Sequence, residues 1–144
     1  MTPKLAANMI RLMGWGFILF GIVFVTIAFA EIDGFARSLV PTFDWTGGIP
    51  HDGLTREARW FAAIMSGLSA GIGTFWVFLV APLLTSDHVP SRQLARRSGV
   101  IAVLSWFIID SAGSFAAGVP SNVAMNTLFL LGFLIPLLMI KFPD

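Results

Sequence analysis

Cysteine is absent from the chain, and histidine occurs only twice in its 144 residues. The missing thiols exclude disulfide exchange, thiolate metal sites, iron–sulfur clusters and S-acylation together. Their absence leaves the redox compartment open. Charge is scarce as well: Asp, Glu, Lys and Arg make up 12% of the residues, about half the roughly 25% of a soluble domain. A formal net charge of +1 argues against a nucleic-acid partner, because phosphate binding relies on clustered Lys and Arg. His51 and His88 both fall in loops, on opposite sides of the expected bundle, so haem held between two transmembrane imidazoles is unsupported. Neither His51 with Asp52 nor Asp87 with His88 approaches the three or four ligands of a metal site. No glycine-rich phosphate loop and no Ser-His-Asp arrangement is present. The sequence implies no cofactor and no metal.

What the chain does have is hydrocarbon. Hydrophobic residues reach 56% and the mean hydropathy is +0.84. Apolar stretches run over 9–30, 60–84, 99–117 and 123–140. A helix rises about 1.5 Å per residue, so about 20 apolar residues cross about 30 Å of hydrocarbon. The expected fold is all-α: one polytopic membrane domain spanning 1–144, with four transmembrane helices in an antiparallel bundle and one long external loop at 31–59. The lipid bilayer is then the first partner.

Flanking charge orients such a bundle. Lys4, Arg11, Arg92, Arg96, Arg97 and Lys141 fall on one side, against Arg37, Arg56 and Arg59 on the other. Because positive residues resist translocation, both termini are expected in the cytoplasm, in a bacterial inner membrane. Lys4 and Arg11 before an apolar run ending Ala28-Phe29-Ala30 superficially match a secretory signal, but the run exceeds a usual signal core. The first helix is therefore expected to be retained.

The first loop holds Pro41, Gly47, Gly48, Pro50 and Gly53, which break helices. Its apolar Phe35, Leu39, Val40, Phe43 and Trp45 suit it to lie on the interface or cap the bundle. Thr55 reads as the N-cap of the second helix, and Ser91 as the cap of a basic lead-in to the third. Gly118, Val119 and Pro120 leave only a turn between helices three and four, which makes them antiparallel neighbours. Pro82 and Pro136 come late in helices two and four and are expected to bend or loosen those ends.

Lipid supplies no hydrophobic drive for helix association, so small residues and buried polar contacts must do it. In helix two Ala63, Gly67, Ala70, Gly71 and Thr74 recur at spacings of three and four, centred on Gly67-x-x-x-Gly71. Helix three offers Asp110, Gly113, Ser114, Ala117 and Gly118, and helix one Gly14, Gly21 and Ala28. These faces are expected to pack within the chain, with homodimerisation as the alternative use of Gly67-x-x-x-Gly71.

Asp110 is the most informative single residue. An ionised carboxylate near mid-helix costs at least about 2.5–3.5 kcal/mol in a bilayer, so it must face the interior. Ser66, Ser69, Ser114 and Asn126 are its expected neighbours. Together they form either a polar clasp joining helices two, three and four or an ion path. Asn122 and Asn126, one turn apart, read as caps that bond a neighbouring helix. Arg59, Trp60, Trp15 and Trp76 read as interfacial anchors, and Trp106 as packing beside the polar cluster.

With Arg59-Trp60-Phe61-Ala62-Ala63-Ile64 opening a glycine-rich second helix and Asp110 in the third, the whole chain resembles small four-helix bacterial integral membrane proteins. Those families have no assigned activity. Thiol-oxidising quinone enzymes require paired cysteines, and small multidrug exporters carry their acid on the first helix, so neither matches. The expected function is a non-enzymatic accessory, assembly or scaffold subunit of a larger membrane complex. The alternative is a small oligomeric transporter or channel built on Asp110. A third class, an enzyme handling a lipid or quinone substrate between the helices, has no candidate nucleophile, and only a continuous cavity reaching Asp110 from the lipid would reopen it.

Overall fold

The structure, a computed structural model, describes residues 1–45 and 54–142. The His51–Asp52 pair and the loop residues Gly47, Gly48, Pro50 and Gly53 lie outside them. The described residues form helices joined by short turns, without strands. Four helical runs, Pro3–Ala28, Arg56–Leu84, Val89–Ala116 and Pro120–Met139, are long and apolar enough to span a membrane.

Helix α1 (Pro3–Phe24) starts well before Met9 because Thr2 accepts a hydrogen bond from Leu5 N at 3.3 Å and Pro3 opens the first turn. It tightens into a 3-10 turn over Val25–Ala28. Helix α2 (Gly34–Phe43) lies inside the segment expected to be a loop. Pro41 concealed it: a proline interrupts helical periodicity, yet here it falls in the last turn, where little helix remains to disrupt.

Helix α3 (Arg56–Phe75) starts at Thr55, whose hydroxyl accepts from Ala58 N at 3.2 Å, with Glu57 in the positive first turn. It runs through a π turn (Trp76–Val80) into α4 (Ala81–Leu84). Ala81 N reaches back five residues to Trp76 O. Pro82 accounts for the widening, because it lacks an N–H and its ring clashes with the carbonyl four residues earlier.

Helix α5 (Val89–Ala116) begins ahead of its apolar stretch and carries Arg92, Arg96 and Arg97 inside it. Ser91 is not its cap: His88 holds that position, and Ser91 Oγ sits 2.9 Å from His88 Nδ1. The chain then turns at Gly118, whose φ of 79° suits glycine, and re-enters helix with Pro120 at the start of α6 (Pro120–Met139).

Helix α1 is the hub, touching α3 on one side and α6 on the other. Helix α5 packs along α6 and meets the continuous α3–α4 run chiefly at the π turn and α4. The bundle is therefore closed at one end and parted between α3 and α5 towards the other. The closed end holds the apolar core, with Ala6, Ile10, Trp76, Val80, Leu84 and Leu137 buried. Trp76 is thus not an interfacial anchor. It is 3% exposed and packs on Phe133 at 4.6 Å between ring centres. Met1 and the last turn are tied together there: the terminal ammonium donates to Met139 O and Lys141 N to Met1 O, each at 3.0 Å.

The tight seam is α1 on α3. A Cβ on Gly73 would lie 2.5 Å from Gly14 O and 2.8 Å from Ile18 N; one on Gly21 would strike Ser66 O and Ala70. By contrast, a Cβ on Gly67, Gly71, Gly113 or Gly118 would meet nothing within 4 Å. These four, expected as helix-packing residues, make no close helix contact within the chain. The reason is rotational: at about 100° per residue, Gly73 lies on nearly the opposite face from Gly71. Ser66, Ala70, Gly73 and Val77 form the face that meets α1, and Gly67 and Gly71 look away.

At the parted end, α2 is strapped down at both of its ends. Asp33, just before it, is 5% exposed and forms an ion pair with Arg59 Nη2 at 2.8 Å. Arg37 Nη1 approaches the same carboxylate at 3.7 Å, and Arg59 Nη1 donates to Ile27 O at 2.6 Å. Arg59 is therefore a cross-link between segments rather than an interfacial anchor. At the far end, Ser121 Oγ donates to Phe43 O at 2.7 Å and accepts from Trp45 N at 3.2 Å. Phe43 also meets Phe20 and Phe24 edge-on.

Candidate functional site

Two antiparallel helices joined by a three-residue turn bring i, i+4 pairs face to face. Here the pairs are Asp110 and Ser114 on α5 and Asn122 and Asn126 on α6. Ser114 and Asn122 sit nearest the turn, and Asn122 Nδ2 donates to Ser114 Oγ at 2.8 Å. One helical turn further in, Asn126 Nδ2 donates to Asp110 Oδ1 at 2.8 Å and contacts Ser111 Oγ at 3.3 Å. Asn122 Nδ2 and Ser114 Oγ complete the set on Asp110 Oδ1, at 3.1 and 3.2 Å. Three donors thus converge on one carboxylate oxygen and supply the solvation that hydrocarbon withholds.

The cluster differs from expectation in its membership. Ser114 and Asn126 join Asp110, and Asn122 and Ser111 come with them. Ser66 does not, and Ser69 lines the cavity beside Asp110 without bonding to the cluster. Ser66 is buried against α1 with its hydroxyl unpartnered, and Ser69 donates back to Met65 O at 2.8 Å. The polar contacts therefore tie α5 to α6 and leave α3 out, because α3 and α5 part at this level. A signal for Asn122 was present, a four-residue Asn repeat opposite the four-residue Asp110–Ser114 repeat across a minimal turn, whereas that spacing leaves Ser111 out.

Replacing Asn126, 4% exposed, with leucine removes the shortest of the Asp110 bonds. A hydrogen bond to a charged group contributes about 1.5–3 kcal/mol. Asn126→Leu is expected to lower the unfolding free energy in detergent by about 2 kcal/mol, read from denaturant titration. An unchanged midpoint would show that the contact contributes nothing.

The gap between α3 and α5 is a pair of contiguous cavities of about 370 and 430 Å³. They share Phe17, Leu68, Ile72 and Trp106 as common walls. The deeper part runs between Gly67 and Gly71 on α3 and Ala102 and Val103 on α5, and ends on Trp76 and Phe133. The other part leads to Asp110, Asn122 and Asn126 and is roofed by Val40, Phe43 and Asp44 of the α2 segment. Leu68, Ile72 and Phe75 on the rim are exposed, so the cleft opens sideways, where lipid lies for a spanning helix. Phe17 stands at its centre, edge-on to Trp106, Phe129 and Phe133 at 5.4–5.8 Å between ring centres.

The site so built is an apolar, aromatic cleft with a single polar end. Volumes of this size suit small-molecule ligands, and an apolar wall with a few convergent polar groups is their usual setting. Among the described residues no group of three His, Asp or Glu side chains converges to hold a metal. No known protein family, curated protein or solved structure matches this chain.

Proposed function

We propose that this is a non-enzymatic integral membrane protein that binds a hydrophobic small molecule, entering sideways from the bilayer into the cleft between α3 and α5. One observation carries the reading: two contiguous aromatic-walled cavities open sideways between α3 and α5, and one of them ends on a carboxylate that is otherwise expensive to keep in a bilayer. A structural clasp alone needs no empty volume beside it. In this reading the end bearing Met1, Lys4, Arg92 and Lys141 faces the cytoplasm of a bacterium, in its inner membrane, because positive residues resist translocation.

Labelling with a neutral photoactivatable hydrocarbon tests it. Adducts should concentrate on α3 around Gly67–Phe75 and on α5 around Ala102–Asp110, and fall at least fivefold in the Gly67→Leu, Gly71→Leu double variant. Both glycines face open cleft, so that variant fills the site without disturbing a helix contact. Labelling spread evenly around the bundle would remove the proposal.

A second reading has its own support. Gly67-x-x-x-Gly71 lies bare along the cleft, a face that admits close approach of another helix. An accessory or assembly subunit would use it to receive a helix of a larger complex or of a second copy. Extraction from native membranes in mild detergent separates the two, since a chain that always migrates alone has no such partner. The transporter or channel reading draws less support. Asp110, Ser114 and Asn126 gather at one end, while among the described residues the bundle interior beyond Trp76 and Phe133 is apolar core without a continuing polar path.

A further inference from the structure

We propose that the ligand of the cleft is a hydrophobic organic cation, its charge set against Asp110 and its hydrocarbon among the aromatic rings. This rests on the cleft being a binding site, as argued above, and names the class of molecule it takes.

The lining decides the sign. Among the described residues, the cavity of about 430 Å³ that reaches the polar cluster is lined by Asp110 and Asp44 and by no Lys, Arg or His. All three hydrogen bonds to Asp110 fall on Oδ1, and among the described residues none reaches Oδ2. Oδ2 therefore remains as an acceptor beside the cavity that Asp110 lines. The amide N–H groups of Asn122 and Asn126 are already directed at Asp110 Oδ1 and at serine hydroxyls. What the two amides have left over is carbonyl oxygen, again an acceptor.

A head group entering here thus meets acceptors and negative charge. A fatty acid or a phospholipid phosphate would bring an anion against the Asp110 carboxylate, which pairs with no cation among the described residues. A positive charge suits both the carboxylate and the walls, because the faces of Phe17, Phe20, Phe24, Trp106 and Phe129 carry negative quadrupoles. Low surrounding polarity strengthens that attraction.

Two probes of nearly equal shape and opposite charge test the assignment. Purified protein in a non-ionic detergent is titrated with tetraphenylphosphonium and, separately, with tetraphenylborate. Tryptophan fluorescence reports binding, as Trp106 lines the cavity. The phosphonium should bind saturably with a Kd at least tenfold below that of the borate. Asp110→Asn should weaken the phosphonium at least tenfold and change the borate less than twofold. Ser69→Phe, projecting a ring into the cavity, should abolish both signals. Equal affinity of the two probes for the unaltered protein overturns the cation assignment while leaving the cleft as a binding site; that comparison needs no variant to fold. Binding of neither probe, or binding that Ser69→Phe leaves intact, overturns the cleft reading and the cation assignment with it.

Discussion

Gly73→Leu should cost at least about 3 kcal/mol and release α1 from α3, because the new side chain meets backbone and not a movable side chain. A Cβ there stands 2.5 Å from Gly14 O and 2.8 Å from Ile18 N before the rest of the leucine is added. Neither atom can yield without shifting α1, and α1 joins α3 to α6, so the disturbance reaches the whole bundle. Gly67→Leu on the same helix provides the control. Its Cβ enters open space, so its effect should stay within about 0.5 kcal/mol. Thermal unfolding of the two variants in one detergent distinguishes them; equal melting temperatures would mean that the α1–α3 seam does not lie where described.

The second large effect belongs to Arg59. Asp33 is 5% exposed and its carboxylate lies 2.8 Å from Arg59 Nη2. Removing one partner of a buried ion pair costs about 3–5 kcal/mol, because the charge left behind has lost its compensation. Arg37 at 3.7 Å moderates the loss, so Arg59→Ala is expected at the lower end, about 3 kcal/mol. Asp33→Ala should cost less, since Arg59 keeps its bond to Ile27 O and a side chain 20% exposed to solvent. The same pair holds the start of α2 against α3. Arg59→Ala should therefore speed tryptic cleavage after Arg37 well before the spanning helices unfold. Cleavage at the unaltered rate would show that the ion pair does not hold α2.

Much of this protein is local enough to read in one dimension. Thr55 caps α3 because the free N–H of Ala58 can donate to a hydroxyl placed just before Arg56-Glu57-Ala58, whatever lies nearby. Gly118 and Pro120 turn the chain between α5 and α6 for equally local reasons, and the turn sets Asp110 opposite Asn126. Ser66 shows the limit. It lies on the right helix at about the right depth for Asp110, yet it points into the α1 seam, and α3 and α5 have parted at that level. Helix α2 shows another. Its ten residues contain a proline and are held by Asp33, Arg59 and Ser121, two of them distant in sequence.

The number of helices that can cross hydrocarbon, the turn that pairs the last two, and the presence of one costly acid among them follow from the order of residues alone. Each depends on helix rise, backbone dihedrals or solvation, quantities set within a few residues. Which face of each helix meets a neighbour was decided only in three dimensions. Lipid and helix interior are about equally apolar, so hydrophobicity does not separate Gly73 from Gly71. The choice fell to steric fit between α1 and α3, and that fit left the cleft beside Asp110 open.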